Sequence, residues 1–254
     1  MESGGRLSDA SMNDARRAEI AANLDAVRRR IATACHGAGR DPSEITLIAV
    51  TKTRPPEDVV HLAALGVRDV GENRDQEAAP KAAAVRAAGV EVRWHFVGRL
   101  QRNKCPSVVR YADLVHSVDS RRLATALANA SGRYRDRPME VLVQVSLDGD
   151  PSRGGAVVDG ENPDTSLGPV IDAVASAESL AFRGLMAVAP LEWEPERAFA
   201  LLADIAATVR RDHPEATILS AGMSGDIEEA INYGATHVRV GSALLGNRPP
   251  PHVA

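Results

Sequence analysis

Short apolar segments alternate with amphipathic, alanine-rich segments along almost the whole chain of 254 residues. Eight segments have the length and the β-branched or apolar composition of buried strands, and each is followed by a connection or a helix-like segment. These segments are residues 46–51, 69–71, 94–97, 114–117, 141–146, 182–187, 217–220 and 237–240. Eight strand-helix repeats predict an α/β fold with a single closed (β/α)8 barrel, the TIM barrel. A doubly wound open sheet is the alternative, and the absence of a glycine-rich fingerprint after the first strand argues against it.

The helix-like segments between the strands include residues 56–65, 121–130, 195–210 and 227–233. A further segment, residues 15–38, precedes the first strand and has apolar side chains at helical spacing, so an extra N-terminal helix is expected. We therefore expect the barrel to span residues 14–247. Residues 1–13 are expected to form a disordered tail rather than a signal peptide, because they contain no apolar core segment. The proline-rich residues 248–254 are expected to form a loose C-terminal tail.

Composition and charge limit the classes of partner. The net charge is -4, with acidic and basic residues interspersed, which argues against binding of nucleic acid or of an anionic membrane surface. Cys35 and Cys105 lie far apart and match no metal-ligand or redox spacing, so a reducing cytoplasm is the expected location. No segment reaches the roughly twenty apolar residues that a membrane-spanning helix needs.

Residues 148–167 form an unusually long connection that is rich in glycine, proline and aspartate. A connection of this length in a compact domain is usually either a functional flap or a disordered loop. Ser152, Arg153, Gly154 and Gly155 would contact an anion in the first case and stay solvated in the second. The sequence leaves both interpretations open.

Lys52 follows the first predicted strand, at the end where a barrel places its active site. An amine that is partly desolvated at such a position protonates less readily and is able to attack an aldehyde. The alternative is a lysine that only caps the strand in solvent.

Two glycine- and serine-containing loops follow the seventh and eighth predicted strands, where barrels commonly hold phosphate groups. Ser224 and Gly225 lie in the first loop, and Gly241 and Ser242 lie in the second. Glycines allow the backbone to approach an anion, and helix N-termini present free amides to it. Ordinary turns with normal capping are the alternative. Arg239 lies on the eighth strand and must find an acceptor if it is buried, either a carboxylate or a heteroaromatic ring nitrogen.

His95 and His116 end or follow apolar strands, and we interpret them as hydrogen-bonded core histidines rather than as metal ligands or acid-base groups. No aspartate or cysteine lies near them at metal-ligand spacing, so no metal site is expected.

Several motifs in one order give the chain a resemblance to a known family. They include Ala49-Val50-Thr51-Lys52, Gly71-Glu72-Asn73-Arg74, Trp94-His95-Phe96-Val97-Gly98, the run from Leu219 to Asp226 and the run from Gly234 to Ser242. The chain resembles the YggS/PROSC family of pyridoxal 5'-phosphate (PLP) homeostasis proteins, which is related in fold to the N-terminal barrel of alanine racemase. Ala221 departs from the methionine that is common at its position, which should loosen local packing without removing a phosphate ligand.

The resemblance implies a barrel of the PLP fold type III kind without the C-terminal β domain of alanine racemase. It also implies that Lys52 carries PLP as a covalent aldimine and that Arg239 faces the pyridine nitrogen. The phosphate would be held by Ser224, Gly225, Gly241 and Ser242, and the ring would be lined by Asn73 and Met223.

The resemblance further implies a protein that takes part in vitamin B6 homeostasis and delivers PLP to PLP-dependent apoenzymes. Racemases of this fold need a second base, a tyrosine from the extra domain of a neighbouring subunit. Tyr111, Tyr134 and Tyr233 are not placed opposite Lys52 in the predicted barrel, so we expect a non-catalytic carrier. We also expect a monomer, because the second domain that provides the usual dimer contact of the racemases is not expected here. A PLP-dependent amino-acid racemase and a Schiff-base aldolase acting on a sugar phosphate are the alternatives.

Overall fold

Eight parallel strands form a closed ring in the computed structural model of the protein, which describes residues 9–246. The strands are β1 (Thr46–Val50), β2 (Asp69–Glu72), β3 (Arg93–Phe96), β4 (Leu114–Val118), β5 (Met139–Ser146), the short β6 (Ala156–Val157), β7 (Leu180–Met186), β8 (Ile218–Ser220) and β9 (His237–Val240). The ring runs β4-β3-β2-β1-β9-β8-β7-β5, and β5 pairs with β4 to close it. The predicted barrel is confirmed, and the open sheet is wrong. The remaining strand, β6, lies outside the ring: it pairs with the end of β5, and its residue Val157 also makes an isolated bridge to Ser166.

One helix follows each barrel strand, and one further helix precedes the barrel. The helices are α1 (Asp9–Gly37), α2 (Pro56–Ala64), α3 (Asp75–Ala87), α4 (Cys105–Val108), α5 (Arg121–Tyr134), α6 (Leu167–Ala175), α7 (Pro195–Asp212), α8 (Ile227–Asn232) and α9 (Ser242–Leu245). The four helices predicted between strands begin at the predicted residues. Local signals fix these starts: Pro56 and Pro195 stand at first helical positions, and the Ser120 hydroxyl accepts a hydrogen bond from the Leu123 amide.

The N-terminal helix α1 begins earlier than the sequence predicted. Residues 9–13, which were expected in a disordered tail, form its first turns. Contacts with α2 account for this difference: Asn13 Oδ1 lies 2.8 Å from His61 Nε2, and Arg16 makes an ion pair of 2.7 Å with the buried carboxylate of Asp58. The other residues expected in the two tails, 1–8 and 248–254, lie outside the described part of the chain, as does Asn247.

The apolar core lies mainly between the strands and the helices. In α1 the four residues at helical spacing that face this core are all buried, as the periodicity predicted: Ile20, Leu24, Val27 and Ile31. Burying one such side chain contributes about 1.5–3 kcal/mol. The barrel interior differs, because a small apolar cluster of Leu114, Leu142 and Met186 shares it with polar side chains. Within residues 9–246 no helix is both long enough and apolar enough to span a membrane.

The long connection at residues 148–167 is folded against the barrel. It contains β6, whose residue Ala156 is fully buried and pairs with Val145 of β5. Arg153 donates hydrogen bonds to the carbonyl oxygens of Val188 and Ala189 at 3.0 and 2.8 Å. The disordered-loop interpretation is therefore wrong, whereas a gating role for this segment stays a prediction.

Gly184 on β7 allows this strand to approach β8 closely. Its φ is +142°, and a Cβ there would lie 1.9 Å from the Ile218 carbonyl oxygen. We expect Gly184→Ala to lower the free energy of unfolding by about 3 kcal/mol, because a strained backbone and a steric clash combine. Gly168 in α6 is the matched control, since a Cβ there meets no atom within 4 Å. Gly168→Ala should raise stability by about 0.5–1 kcal/mol in urea unfolding, and equal effects of the two substitutions would contradict the analysis.

Candidate functional site

The strand β1 brings residues from both ends of the chain together at the carboxyl-terminal mouth of the barrel. It pairs with β2 on one side, with Val50 opposite Gly71, and with β9 on the other, with Ala49 opposite Val240. Lys52 follows β1 by two residues. It therefore lies between the loop after β2 and the loop after β9, which carry predicted site residues.

The Lys52 side chain is exposed in a turn after β1. The expectation that the strand would partly desolvate this amine is therefore wrong, because the chain leaves the strand one residue before the lysine. The next residue, Thr53, has a φ of +62°, a region that β-branched residues rarely adopt. Its amide donates a hydrogen bond of 3.1 Å to Glu77 Oε2. The backbone on the C-terminal side of Lys52 is thus held in a specific, costly conformation.

A buried ion pair supports this turn from inside the protein. Lys81 Nζ donates to Glu72 Oε1 at 2.5 Å and to the Thr51 carbonyl oxygen at 2.7 Å, while Thr51 Oγ1 donates to the same carboxylate oxygen at 2.7 Å. The side chains of Lys81 and Glu72 are 6% and 1% exposed. Burial raises the pKa of Glu72, and the charge of Lys81 opposes this shift. The sequence analysis missed this pair, and its only signal was a glutamate within a buried strand.

The chain contains three lysines in all: Lys52, Lys81 and Lys104. Lys81 is buried in its pair with Glu72, and Lys104 is partly buried with Nζ 4.0 Å from Asp75 Oδ2. Lys52 is the exposed lysine of the three. A small molecule can therefore reach the amines of Lys52 and Lys104, and Lys52 is the more exposed of the two.

The two predicted phosphate-binding loops lie next to each other. Ser224 Oγ accepts a hydrogen bond of 3.3 Å from the Ala243 amide at the start of α9, which joins the loop after β8 to the loop after β9. Arg30 of α1 donates to the Ser224 carbonyl oxygen at 2.9 Å. A Cβ at Gly225 would meet no atom within 4 Å, so its backbone faces open space. Ser224, Gly225, Gly241 and Ser242 are thus brought together as predicted, although their role as phosphate ligands stays a prediction.

Met223 and Asn73 occupy opposite sides of the mouth. Met223 is 40% exposed, and its amide donates to Asp226 Oδ1 at 2.6 Å, which closes the turn. Asn73 follows β2 and is half-buried. It also lines a neighbouring cleft of about 1250 Å³ with mixed charge, which extends towards α3 and α5.

Arg239 points into the barrel and is 5% exposed. Its Nη1 donates to Ser220 Oγ at 2.6 Å, and its Nη2 donates to the Ala187 carbonyl oxygen at 2.8 Å. Burial lowers the pKa of Arg239 to about 10, against the opposing charge of Asp226. No carboxylate within residues 9–246 forms an ion pair with it within 4.0 Å, so the carboxylate alternative from the sequence is wrong. A guanidinium has five N–H donors, and further donors remain for an acceptor in the site.

His95 and His116 are buried and hydrogen-bonded to each other through Nδ1 and Nε2 at 2.9 Å. The interpretation as satisfied core histidines is confirmed. Within the described range, no group of three histidine, cysteine, aspartate or glutamate side chains is arranged to hold a metal ion.

The buried pair below Lys52 predicts a stability effect. We expect Lys81→Met to lower the free energy of unfolding by about 3 kcal/mol, because it leaves the Glu72 carboxylate buried without its partner. The double variant Lys81→Met/Glu72→Gln should recover most of this loss in urea unfolding. Arg122→Ala is the control, since the Arg122 side chain is 72% exposed in its pair with Asp164 and should contribute less than about 1 kcal/mol. A Lys81→Met effect as small as the control's would contradict this assignment.

Comparisons with known proteins agree with the barrel fold. Residues 22–249 match the family described as alanine racemase, N-terminal domain. The pyridoxal phosphate homeostasis protein of Mycobacterium tuberculosis H37Rv is 45% identical over 253 residues, covering 94% of this chain and 97% of the relative. The protein of the same name from Escherichia coli K12 is 37% identical over 234 residues, covering 91% and 97%.

Among solved structures, PipY of Synechococcus elongatus PCC7942 with PLP bound has a TM-score of 0.75 and 33% identity to this chain. The similarity covers 89% of this chain and 100% of PipY. Both the extent of these matches and their identity exceed what a shared fold alone would require. This chain therefore belongs to the family of pyridoxal phosphate homeostasis proteins, with the barrel of the alanine racemase N-terminal domain.

Proposed function

We propose that this protein binds PLP at the mouth of the barrel, holds it as a Schiff base on Lys52, and delivers it to PLP-dependent apoenzymes as part of vitamin B6 homeostasis. The names of the relatives and the PLP bound to PipY support the choice of cofactor. Bound PLP supplies an aldehyde that condenses reversibly with a primary amine. The observation that carries the proposal is that Lys52 is the exposed lysine, beside hydroxyl-bearing and glycine-containing loops.

The residues around Lys52 fit the other groups of PLP. Ser224 and Ser242 offer hydroxyl groups for the phosphate, and the open backbone at Gly225, together with Gly241, lets an anion approach. Asn73 and Met223 would line the ring. These side chains and backbone groups offer hydrogen-bond donors for the phosphate and contacts for the ring of a phosphorylated aldehyde.

Arg239 would face the pyridine nitrogen of the cofactor. A guanidinium only donates hydrogen bonds and keeps its proton, so it favours an unprotonated ring nitrogen. An unprotonated ring is a weaker electron sink than the protonated ring that a carboxylate partner stabilises. This arrangement favours storage of the cofactor over carbanion chemistry.

The positions of the tyrosines support a non-catalytic role. Tyr111 precedes β4, Tyr134 ends α5 before β5, and Tyr233 follows α8 before β9. The helix-to-strand connections that carry Tyr134 and Tyr233 lie at the amino-terminal end of the barrel, away from the mouth that holds Lys52. Tyr111 instead lies close to Asp75 and Glu72, and burial together with the charge of Asp75 raises the pKa of its hydroxyl group, so it stays protonated and is not a base. None of the three is therefore a second base opposite Lys52 within the same chain.

Chemical trapping tests the binding proposal. We expect PLP followed by borohydride to attach one cofactor per chain, with peptide mapping placing it on Lys52, because Lys81 is buried and Lys104 lies beside Asp75. Lys52→Ala should lose the label and the visible absorption, and the control Lys104→Ala should keep both. A label that persists on Lys52→Ala at the same stoichiometry would contradict the proposal. Labelling that needs an added sugar phosphate would instead favour the aldolase alternative.

Proton exchange tests the non-catalytic role. In deuterated water, PLP-loaded protein should exchange the α-proton of alanine or serine no faster than free PLP does, because a proton transfer needs a base within hydrogen-bond reach. Exchange at an enzymatic rate that depends on Lys52 would support the racemase alternative instead.

Delivery is measured separately as activation of a PLP-free apoenzyme, compared with free PLP at the same concentration.

A further inference from the structure

A chain of hydrogen-bonded polar side chains crosses the barrel interior from the half-buried Asp69 to the buried Arg239. Asp69 Oδ1 lies 2.9 Å from His95 Nε2, His95 Nδ1 lies 2.9 Å from His116 Nε2, and His116 Nδ1 lies 2.9 Å from Ser220 Oγ. The Ser220 hydroxyl oxygen then accepts from Arg239 Nη1 at 2.6 Å. Five strands, β2, β3, β4, β8 and β9, contribute one residue each.

The donors and acceptors of this chain have one self-consistent direction. Arg239 only donates, so Ser220 Oγ is an acceptor for it, and the Ser220 proton is directed at His116 Nδ1. His116 must then carry its proton on Nε2 and donate it to His95 Nδ1. His95 carries its proton on Nε2 in turn and donates it to the Asp69 carboxylate.

The opposite direction does not satisfy the same atoms. It needs an additional proton, either on the Asp69 carboxyl group or on the His95 ring, and it leaves the Ser220 hydroxyl proton without an acceptor among these residues. Burial acts to raise the pKa of Asp69, but the hydrogen bond with His95 and the nearby positive charge of Arg93 lower it overall. Burial lowers the pKa of His95 and, more strongly, that of His116. Both imidazoles are therefore neutral around pH 7, with an ionised Asp69 as the terminal acceptor.

His237 lies beside these hydrogen-bonded side chains but is not one of them. Its ring centroid is 6.3 Å from that of His95, and its Nδ1 lies 2.9 Å from Thr236 Oγ1. Burial lowers the pKa of His237 to about 4. His237 is therefore neutral around pH 7 and places no positive charge beside the Asp69 carboxylate.

We propose that four residues orient Arg239 for the cofactor ring and act as positioning residues: Asp69, His95, His116 and Ser220. This proposal rests on the proposed function. The carboxylate of Asp69 fixes the tautomers of the two histidines, and the second histidine fixes the direction of the Ser220 hydroxyl group. The hydroxyl oxygen and the Ala187 carbonyl oxygen then hold the two ends of the guanidinium. The remaining N–H groups of Arg239 are thereby directed towards the cofactor. Asp69, His95 and His116 set this direction from the opposite side of the barrel without contacting the cofactor.

Asp69→Asn is the sharpest test of this direction. An asparagine has nearly the same shape as an aspartate, but its amide group also donates. The series of hydrogen bonds from residue 69 to Arg239 could therefore have either direction. We expect nitrogen NMR of histidine-labelled, unaltered protein to show protons on Nε2 of both His95 and His116, and Asp69→Asn to show a mixture of tautomers. A Nδ1 proton or a charged ring at His116 in the unaltered protein at neutral pH would overturn the proposal. The measurement on the unaltered protein needs no cofactor, and it decides the direction even if Asp69→Asn does not fold.

The consequence for the cofactor is measured by the release of PLP to a scavenging amine. Asp69→Asn and Ser220→Ala should each speed release by about three- to tenfold and shift the visible absorption band, as expected when a charged hydrogen bond is misaligned. Asp113→Asn is the control, because Asp113 is another barrel-end aspartate, bound to the Trp94 amide at 2.9 Å and not to the chain.

If both variants release PLP at the unchanged rate and have unchanged spectra, the positioning role is overturned. The hydrogen-bonded side chains would then have a structural role only. A wild-type protein that binds no PLP would instead contradict the proposed function, while the tautomer measurement would still decide the direction of the chain.

Discussion

The parallel pairing of β1 with both β2 and β9 is the constraint on which the site depends. Ring closure places the turn that carries Lys52 directly beside Gly241 and Ser242, although these residues come from opposite ends of the chain. The N-terminal helix reinforces this closure, because Arg30 binds the loop that carries Ser224 and Asn23 binds the Leu244 carbonyl oxygen near α9. A helix outside the eight repeats is thus part of the support for the candidate phosphate corner.

The second constraint is the cost of placing charge inside a barrel. Arg239 and the pair of Lys81 with Glu72 are each nearly inaccessible to water, and isolated buried charges are strongly unfavourable. The fold reduces this cost by hydrogen-bonding these groups to carbonyl oxygens, hydroxyl groups and, below Lys52, to each other. Apolar residues in the same places would be simpler to bury. We infer that the polar interior is retained because it orients groups at the mouth.

Much of the architecture was predictable, because it is encoded in local patterns. Strand periodicity and composition placed all eight barrel strands, and capping or proline signals placed the starts of α2, α5 and α7. The early start of α1 was missed because contacts with His61 and Asp58, distant in the sequence, hold it. The exposure of Lys52 was also missed, since nothing in the sequence shows where the chain turns away from β1.

The candidate site also has a part that the sequence predicts and a part that it does not. Motifs identified the residues at the mouth, because loops after parallel strands converge there. They did not reveal Lys81 beneath Lys52, or the chain from Asp69 to Arg239, because such contacts depend on the register between strands that are far apart in sequence. His95 and His116 were recognised as core residues, but their partners only became evident from the folded ring.

The most direct test of the central claim is a crystal structure of the protein after incubation with PLP. We predict continuous density between Lys52 Nζ and the cofactor, the phosphate between the loops of Ser224 and Ser242, and an Arg239 nitrogen about 3 Å from the ring nitrogen. A cofactor bound elsewhere, or a carboxylate facing the ring nitrogen in place of Arg239, would contradict the account.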